Sequence, residues 1–356
     1  MTRDESRAIA VREKSTRIIS SLRYETMIDR REAIVSAYDG TLEWMFDESR
    51  SPFPRWLKEG HGLFWVSGKA GSGKSTLMKR VAEHPELATL SEIWAGLNAQ
   101  VLQADFYFWF AGSPFQKSVK GLYQSVLYQI LRACPELVQM VCLRRWKSPS
   151  VEVEDQEMWS EDELKQCLEI LASHSLCGNV GGGSSRQQDL RFLFFIDGLD
   201  EFDGNHRQLL RILQRLGSGD NIKICVSSRP WNDFLQLDLP SSSIRLEDLT
   251  EEDIHTYVFD TLHELQRDIV GLGFGEHPSD EFDFLVNTIV SKAHGVFLWG
   301  FLVIRSVCDG LANGDSIAIL QSRVDELPED LIEYFKLMFK RISPTYRGLA
   351  TQLLRL

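Results

Sequence analysis

Between residues 62 and 249 the chain alternates two hydrophobic patterns. Five short apolar runs, "GLFWVSG" (62–68), "DFYFWF" (105–110), "RFLFFID" (191–197), "IKICVSS" (222–228) and "SIRLEDL" (243–249), read as β-strands. Stretches with apolar residues every three or four positions separate them. Leu122, Val126 and Ile130 mark one face of such a helix, which Pro135 brings to an end. Near-continuous apolar strands alternating with helices predict an α/β fold with a parallel sheet of about five strands, covered on both faces.

The pattern changes on either side of this stretch. Residues 1–50 read as helical, with Ile18, Ile19 and Leu22 on one apolar face and Ile34, Tyr38, Leu42 and Met45 on another. "SPFPRWLKEGHG" (51–62) breaks that pattern with its prolines and glycines. From 249 onward the strand signals vanish. Thr250 and Ser279 read as helix starts, residues 288–310 as one strongly apolar helix, and "LPEDLIEYFKLMFKRISP" (327–344) as a further helix. The closing "TYRGLATQLLRL" carries leucines that look like half of a packing face, so the chain is expected to stop inside a domain. Inside the α/β stretch, "KSPSVEVEDQEMW" (147–159) reads as a solvated acidic insertion and "GNVGGGSSRQQD" (178–189) as a flexible loop. The helix between them opens with Ser160-Glu161-Asp162-Glu163, the pattern of a capping box. The expected divisions are 1–50, 51–248, 249–312 and 313–356.

Composition narrows the class. The 356 residues hold 39 basic and 51 acidic side chains, a net charge of −12, which argues against a broad nucleic-acid face. The longest apolar stretch, "GVFLWGFLVI" (295–304), is too short to cross a bilayer, and the N-terminus lacks a signal-peptide core. Six scattered cysteines show no metal-ligand spacing, so reduced thiols in a cytoplasmic protein are expected.

Candidate chemistry begins directly after the first strand. Gly68, Lys69, Ala70, Gly71, Ser72, Gly73, Lys74 and Ser75 match the full phosphate-loop pattern, and Thr76 continues into a helix. Gly71 and Gly73 permit a tight turn in which successive backbone N–H groups converge on phosphate oxygens. Lys74 is placed to reach the β- and γ-phosphates, and the Ser75 hydroxyl to ligate Mg2+. The third strand ends at Asp197, where a carboxylate can hold the same metal directly or through water. Gly198 leaves room beside it. Asp200 and Glu201 add two carboxylates, with Glu201 the candidate for activating the attacking water and Asp200 in support. The fourth strand ends in Ser227, Ser228 and Arg229, and Arg229 could contact the γ-phosphate or the acidic pair. A guanine-selecting Asn-Lys-x-Asp pattern is absent, which favours ATP or ADP as ligand.

These motifs together resemble those of the NACHT-domain NTPases of the signalling (STAND) class. The shared stretches are "GKAGSGKST", "FFIDGLDEF", "VSSRP", "KAHGVFLWGFLVIRSV" and "LPEDLIEYFKLMFKRISP". The set is similar to the NACHT proteins of filamentous fungi, the NOD-like receptors related to heterokaryon-incompatibility proteins. The resemblance implies a P-loop nucleotide-binding domain, a helical lid and the start of a winged-helix domain. It also implies a switch, in which ADP holds a closed monomer and exchange for ATP opens it for homo-oligomerisation. Effector and repeat domains are the family's usual partners, and neither pattern is present in this sequence. In the family the lid segment lies against the nucleotide, which would put Gly295 near the base or ribose; the residues alone favour a buried helix with Phe297, Leu298, Trp299 and Phe301 as core. The functions that fit are a switch with weak ATPase activity, a nucleotide-binding scaffold without turnover, and a P-loop small-molecule kinase. Against the kinase stands the acidic pair after Asp197. The phosphate loop generates the first prediction: Lys74→Ala abolishes nucleotide binding, checked by ATP titration.

Overall fold

A computed structural model describes residues 3–148, 158–173, 177–179, 187–230, 242–270, 280–343 and 345–348. The cores of the insertions at 147–159 and 178–189, the helix start at Ser279 and the final leucines lie outside the described residues. The chain packs as two units. The first comprises Met1–Ser36, Trp44–Ser67 and Lys74–Ile244; the second comprises Ala37–Glu43, Gly68–Gly73 and Arg245–Leu356.

The first unit opens with helices α1 (Arg3–Ser21), α2 (Asp29–Ala33) and α3 (Phe53–Glu59). Strand β1 (Leu63–Ser67) leads into α4 (Lys74–Glu83), α5 (Pro85–Ala95) and β2 (Ala99–Tyr107). Then come α6 (Val119–Ala133), the short α7 (Val138–Val141) and α8 (Leu143–Lys147), and α9 (Glu161–Ser173). Strands β3 (Cys177–Asn179) and β4 (Gln187–Asp197), helix α10 (His206–Leu216), and strands β5 (Ile222–Ser228) and β6 (Ser243–Arg245) complete it. The sheet runs in the order β2-β4-β5-β1-β6, and β2/β4, β4/β5 and β5/β1 are parallel. This is the α/β sheet of a P-loop NTPase. Strands β1 and β5 are buried along their whole length, which is why they read as unbroken apolar runs. Phe64, Phe108, Phe192 and Phe195 are fully buried, each worth about 1.5–3 kcal/mol in transfer free energy.

Several sequence expectations are corrected. Strand β2 starts six residues earlier than the apolar run, because as an edge strand it alternates sides and carries Gln100, Gln103 and Asp105. Strand β3 adds an antiparallel partner to β4 within the stretch read as a loop. Residues 1–50 are helical only in part: between Ile34 and Leu42 the chain is irregular, although Ile34, Leu42 and Met45 are buried. The break at 51–62 contains α3, with Pro54 in its first turn. Trp159, read as solvated, is buried with the Arg145 guanidinium over its ring at 3.9 Å. The capping box closes on one side only. Ser160 Oγ accepts the Glu163 N–H at 3.2 Å, but the Glu163 carboxylate accepts Arg145 Nε and Nη2 at 2.9 and 3.1 Å.

The second unit contains α11 (Glu251–Val270), α12 (Asp280–Ala293), α13 (Phe297–Ala312), α14 (Ile317–Asp325) and α15 (Leu331–Arg341). The apolar stretch 288–310 is therefore two helices, parted at His294 and Gly295 with φ of +46° and +73°. A Cβ on Gly295 would lie 2.1 Å from the Glu247 carbonyl oxygen, so only glycine permits this corner. The Thr250 hydroxyl, one residue before α11, donates to the Gly295 carbonyl at 2.9 Å. Trp299 is fully buried and Phe297 partly so, whereas Phe301 is exposed at 43%.

Lys223, in the middle of β5, is 1% exposed. Its ammonium donates to the Trp56 and Leu57 carbonyls at 2.8 and 2.6 Å, closing the end of α3, and lies over the Trp94 ring at 4.8 Å. Burial draws its pKa down to about 7. Lys223→Met keeps the stem but strips two buried carbonyls of their donor, so it should lower stability by about 1–3 kcal/mol. Urea unfolding, read as the shift in midpoint, checks this.

Candidate functional site

Strand β4 carries Asp197 at its C-terminal end, where the parallel neighbours also finish. Tyr107 of β2 is its register partner, and Ile196 pairs with Val226 of β5. The side chain is 1% exposed. Burying a carboxylate is costly unless its oxygens are satisfied. Here the Ser75 hydroxyl, in the first turn of α4, donates to Oδ2 at 2.6 Å, and the Ser227 hydroxyl donates to Oδ1. Ser227 Oγ in turn accepts the Gly198 N–H at 3.1 Å. Burial pushes the Asp197 pKa up. The two hydroxyls, then the positive charges of Arg30 and Lys74, pull against that rise without cancelling it.

Sequence reasoning assigned Ser75 and Asp197 to one metal, and the structure brings them into contact. Their oxygens are hard donors of the kind Mg2+ prefers. That ion usually takes only one or two protein ligands and completes its octahedron with phosphates and water. The residues present therefore fit Mg2+. Among the described residues there is no cluster of three His, Cys, Asp or Glu side chains that would suit a protein-caged metal instead.

Beyond Asp197, Gly198 turns the chain at φ +71° into a single 3-10 turn, Leu199–Glu201. Its glycine is required by that conformation and by the Phe108 carbonyl, 3.3 Å from where a Cβ would sit. The turn sends its two acids to different partners. Asp200 accepts the Arg229 N–H at 3.0 Å, and its other oxygen accepts Arg229 Nε at 3.0 Å. Arg229 is thus paired with Asp200, one member of the acidic pair. Glu201 accepts the Phe110 N–H at 2.9 Å, just past the end of β2. Burial raises its pKa. The Phe110 N–H and the Arg30 charge oppose the rise, and Asp197 and Asp200 add to it. A carboxylate with a raised pKa is the better proton acceptor.

Lys74, Ser75 and Thr76 open α4. The rest of the phosphate loop, Gly68–Gly73, packs with the second unit. Gly71 and Gly73 have φ of +75° and +98°, as a tight glycine turn demands. Ser72 Oγ donates to the Lys69 carbonyl at 2.9 Å. Lys69 donates through its backbone to Glu247 Oε2 and through its ammonium to the His294 carbonyl, both at 3.3 Å. The Leu298 N–H donates to the Gly71 carbonyl at 2.9 Å, and a Cβ on Gly71 would meet Leu298 at 3.0 Å and Leu331 at 3.1 Å. The segment around Gly295 therefore approaches the phosphate loop through Leu298. Gly295 itself lies against the Glu247 backbone.

Two residues escaped the sequence reading. Ser227 was visible only as the end of a strand; its role follows from β5 lying beside β4. Arg30 carries no motif at all, and its charge reaches Asp197 and Glu201 from a segment more than thirty residues before the phosphate loop.

The sequence profile of the family described as nephrocystin 3, N-terminal matches residues 40–229, more than half of the chain. No curated protein matches the sequence. Among solved structures, Cdc6p from Pyrobaculum aerophilum is 12% identical, with a TM-score of 0.40 over 82% of this chain and 67% of that one. Drosophila ORC bound to DNA is 14% identical, with a TM-score of 0.43 over 80% and 67%. The ADP form of the Aeropyrum pernix ORC2 protein is 13% identical, with a TM-score of 0.42 over 83% and 72%. At these values nothing about ligand, DNA or assembly passes from those proteins to this chain. The bonds around Asp197 generate a prediction of their own. Ser227→Ala removes one donor from the carboxylate and the acceptor of the Gly198 N–H. It should weaken Mg2+ binding by about 10–100-fold. The Mg2+ dependence of nucleotide binding, followed by calorimetry, measures it.

Proposed function

The chain belongs to the nephrocystin 3, N-terminal family, and from that premise we propose that it is an ATP/ADP-binding switch with slow hydrolysis. The observation that carries this reading is the 2.6 Å contact between Ser75 and Asp197 beside Lys74, at the carboxyl end of a parallel strand. Gly68–Ser75 bind the phosphates through backbone amides and the lysine. Ser75 and Asp197 hold Mg2+, which when bound neutralises charge on the β- and γ-oxygens. Hydrolysis is attack of water on the γ-phosphorus. The new P–O bond forms, the bond to the bridging oxygen breaks, ADP leaves, and the water's proton passes to Glu201. Adenine is favoured because the guanine-selecting pattern is absent.

Two contacts support slow turnover. The Phe110 N–H stabilises the charged form of Glu201 and so opposes proton uptake, and Arg229 engages both oxygens of Asp200. The same contacts favour, as a second reading, a nucleotide-binding scaffold that does not turn over.

The resemblance to NACHT proteins extends the proposal. The ADP form is closed and monomeric, ATP opens it for homo-oligomerisation, and the output is innate-immunity or incompatibility-type signalling in the cytoplasm. Partner effector or repeat domains complete the pathway. Among the described residues no helix is long and apolar enough to cross a membrane.

The nucleotide that co-purifies with the protein is the decisive observation. Tightly held ADP fits the switch, and an empty site with fast turnover sinks it. Glu201→Gln should keep ATP affinity within about threefold and lower phosphate release by about 10²–10⁴-fold. Filter binding and a phosphate-release assay separate the two quantities, and wild-type turnover moves the base role away from Glu201.

A further inference from the structure

We propose that Arg30, in α2, is a catalytic residue of the hydrolysis reaction, donating to the γ-phosphoryl oxygens as negative charge develops on them. This deepens the proposed function and rests on it.

Arg30 and Arg31 are adjacent but differently placed. Arg31 is anchored: its Nε donates to Asp105 and its Nη2 to Glu83, each at 2.8 Å. Arg30 lies with its guanidinium 5.7 Å over the Trp109 ring. Its Nε is buried and has no hydrogen-bond partner among the described residues. It lines a cavity of about 350 Å3 beside the end of β2. Tyr107 lines the same cavity, is 5% exposed, and its hydroxyl also lacks a partner. Two buried donors without an acceptor therefore share one corner, and buried donors are rarely left so.

That corner adjoins the reaction centre. Tyr107 is the register partner of Asp197. The Phe108 N–H donates to the Asp197 carbonyl at 3.0 Å, and the Phe110 N–H donates to Glu201. Trp109, on which Arg30 stacks, sits between those two donors. The Arg30 charge is felt by both Asp197 and Glu201. On this proposal a phosphoryl oxygen supplies the acceptor that Arg30 lacks. Hydrolysis spreads charge over three equatorial oxygens, and a guanidinium offers a permanent charge with five donors in a planar fork. The bonds that form and break are those given above; Arg30 forms and breaks none.

Binding and transition-state stabilisation separate in the test. The full chain is incubated with ADP, Mg2+ and aluminium fluoride, a planar mimic of the transferring phosphoryl group. Trapped radiolabelled ADP is read after gel filtration, and ADP affinity is read by calorimetry. Arg30→Ala should keep ADP affinity within about threefold, lose trapping, and turn over about 10²–10³-fold more slowly. Arg31→Ala should melt at a lower temperature yet still trap. Trapping by Arg30→Ala at the wild-type level overturns the assignment. So does parallel loss of ADP affinity and trapping in a folded protein, which makes Arg30 merely structural. If Arg30→Ala does not fold, Arg30→Gln, which keeps the stem packed on Trp109, gives the same two readings. Failure of the wild type to bind ADP strikes the proposed function instead.

Discussion

A carboxylate buried at the end of a central strand is the constraint around which the first unit is organised. Asp197 is almost without solvent, and an isolated charge there would be untenable. It is tolerated because three elements converge on it: the first turn of α4 with Ser75, the end of β5 with Ser227, and the end of β2, whose Phe108 N–H donates to the Asp197 carbonyl. Each needs the parallel order β2-β4-β5-β1. In an antiparallel arrangement neighbouring strands would finish at opposite edges, and the hydroxyls could not meet the carboxylate. The positive charges of Lys74 and Arg30 add attraction from outside this shell. Burial still dominates, so the Asp197 pKa stays above the ordinary carboxylate value.

The neighbouring acids show how position divides like residues into unlike tasks. Asp200 and Glu201 are consecutive, yet the 3-10 turn points one to Arg229 and the other to the Phe110 N–H. One becomes half of an ion pair. The other is left in a partly desolvated setting with two carboxylates nearby, which raises its proton affinity. The second unit has its own tight point, where Gly295 lies against the Glu247 backbone and the neighbouring Leu298 N–H bonds the Gly71 carbonyl.

Legibility followed the physics of each feature. Strands β1, β4 and β5 were plain from their apolar runs because central parallel strands are buried on both faces. Strand β2 was misjudged in length because an edge strand mixes polar and apolar residues. The division of 288–310 into two helices was hidden, since nothing apolar changes there and the break rests on two left-handed residues. Lys223 drew no notice inside "IKICVSS", although it is the hydrogen-bond donor to the end of a helix more than 160 residues earlier. The Glu163 capping box failed on its second half because Arg145 offered a bidentate ion pair.

By itself the sequence determined the phosphate loop, the position of Asp197 at a strand end and the α/β alternation. Each is set by local chemistry: glycine torsions, a helix start, or a run of apolar side chains. Tertiary structure alone decided which hydroxyls satisfy Asp197, which acid is paired away, and that the Arg30 charge is felt at Asp197 and Glu201. Those outcomes depend on which chain segments become neighbours, and a hydrogen bond or a Coulombic field carries no mark of sequence separation.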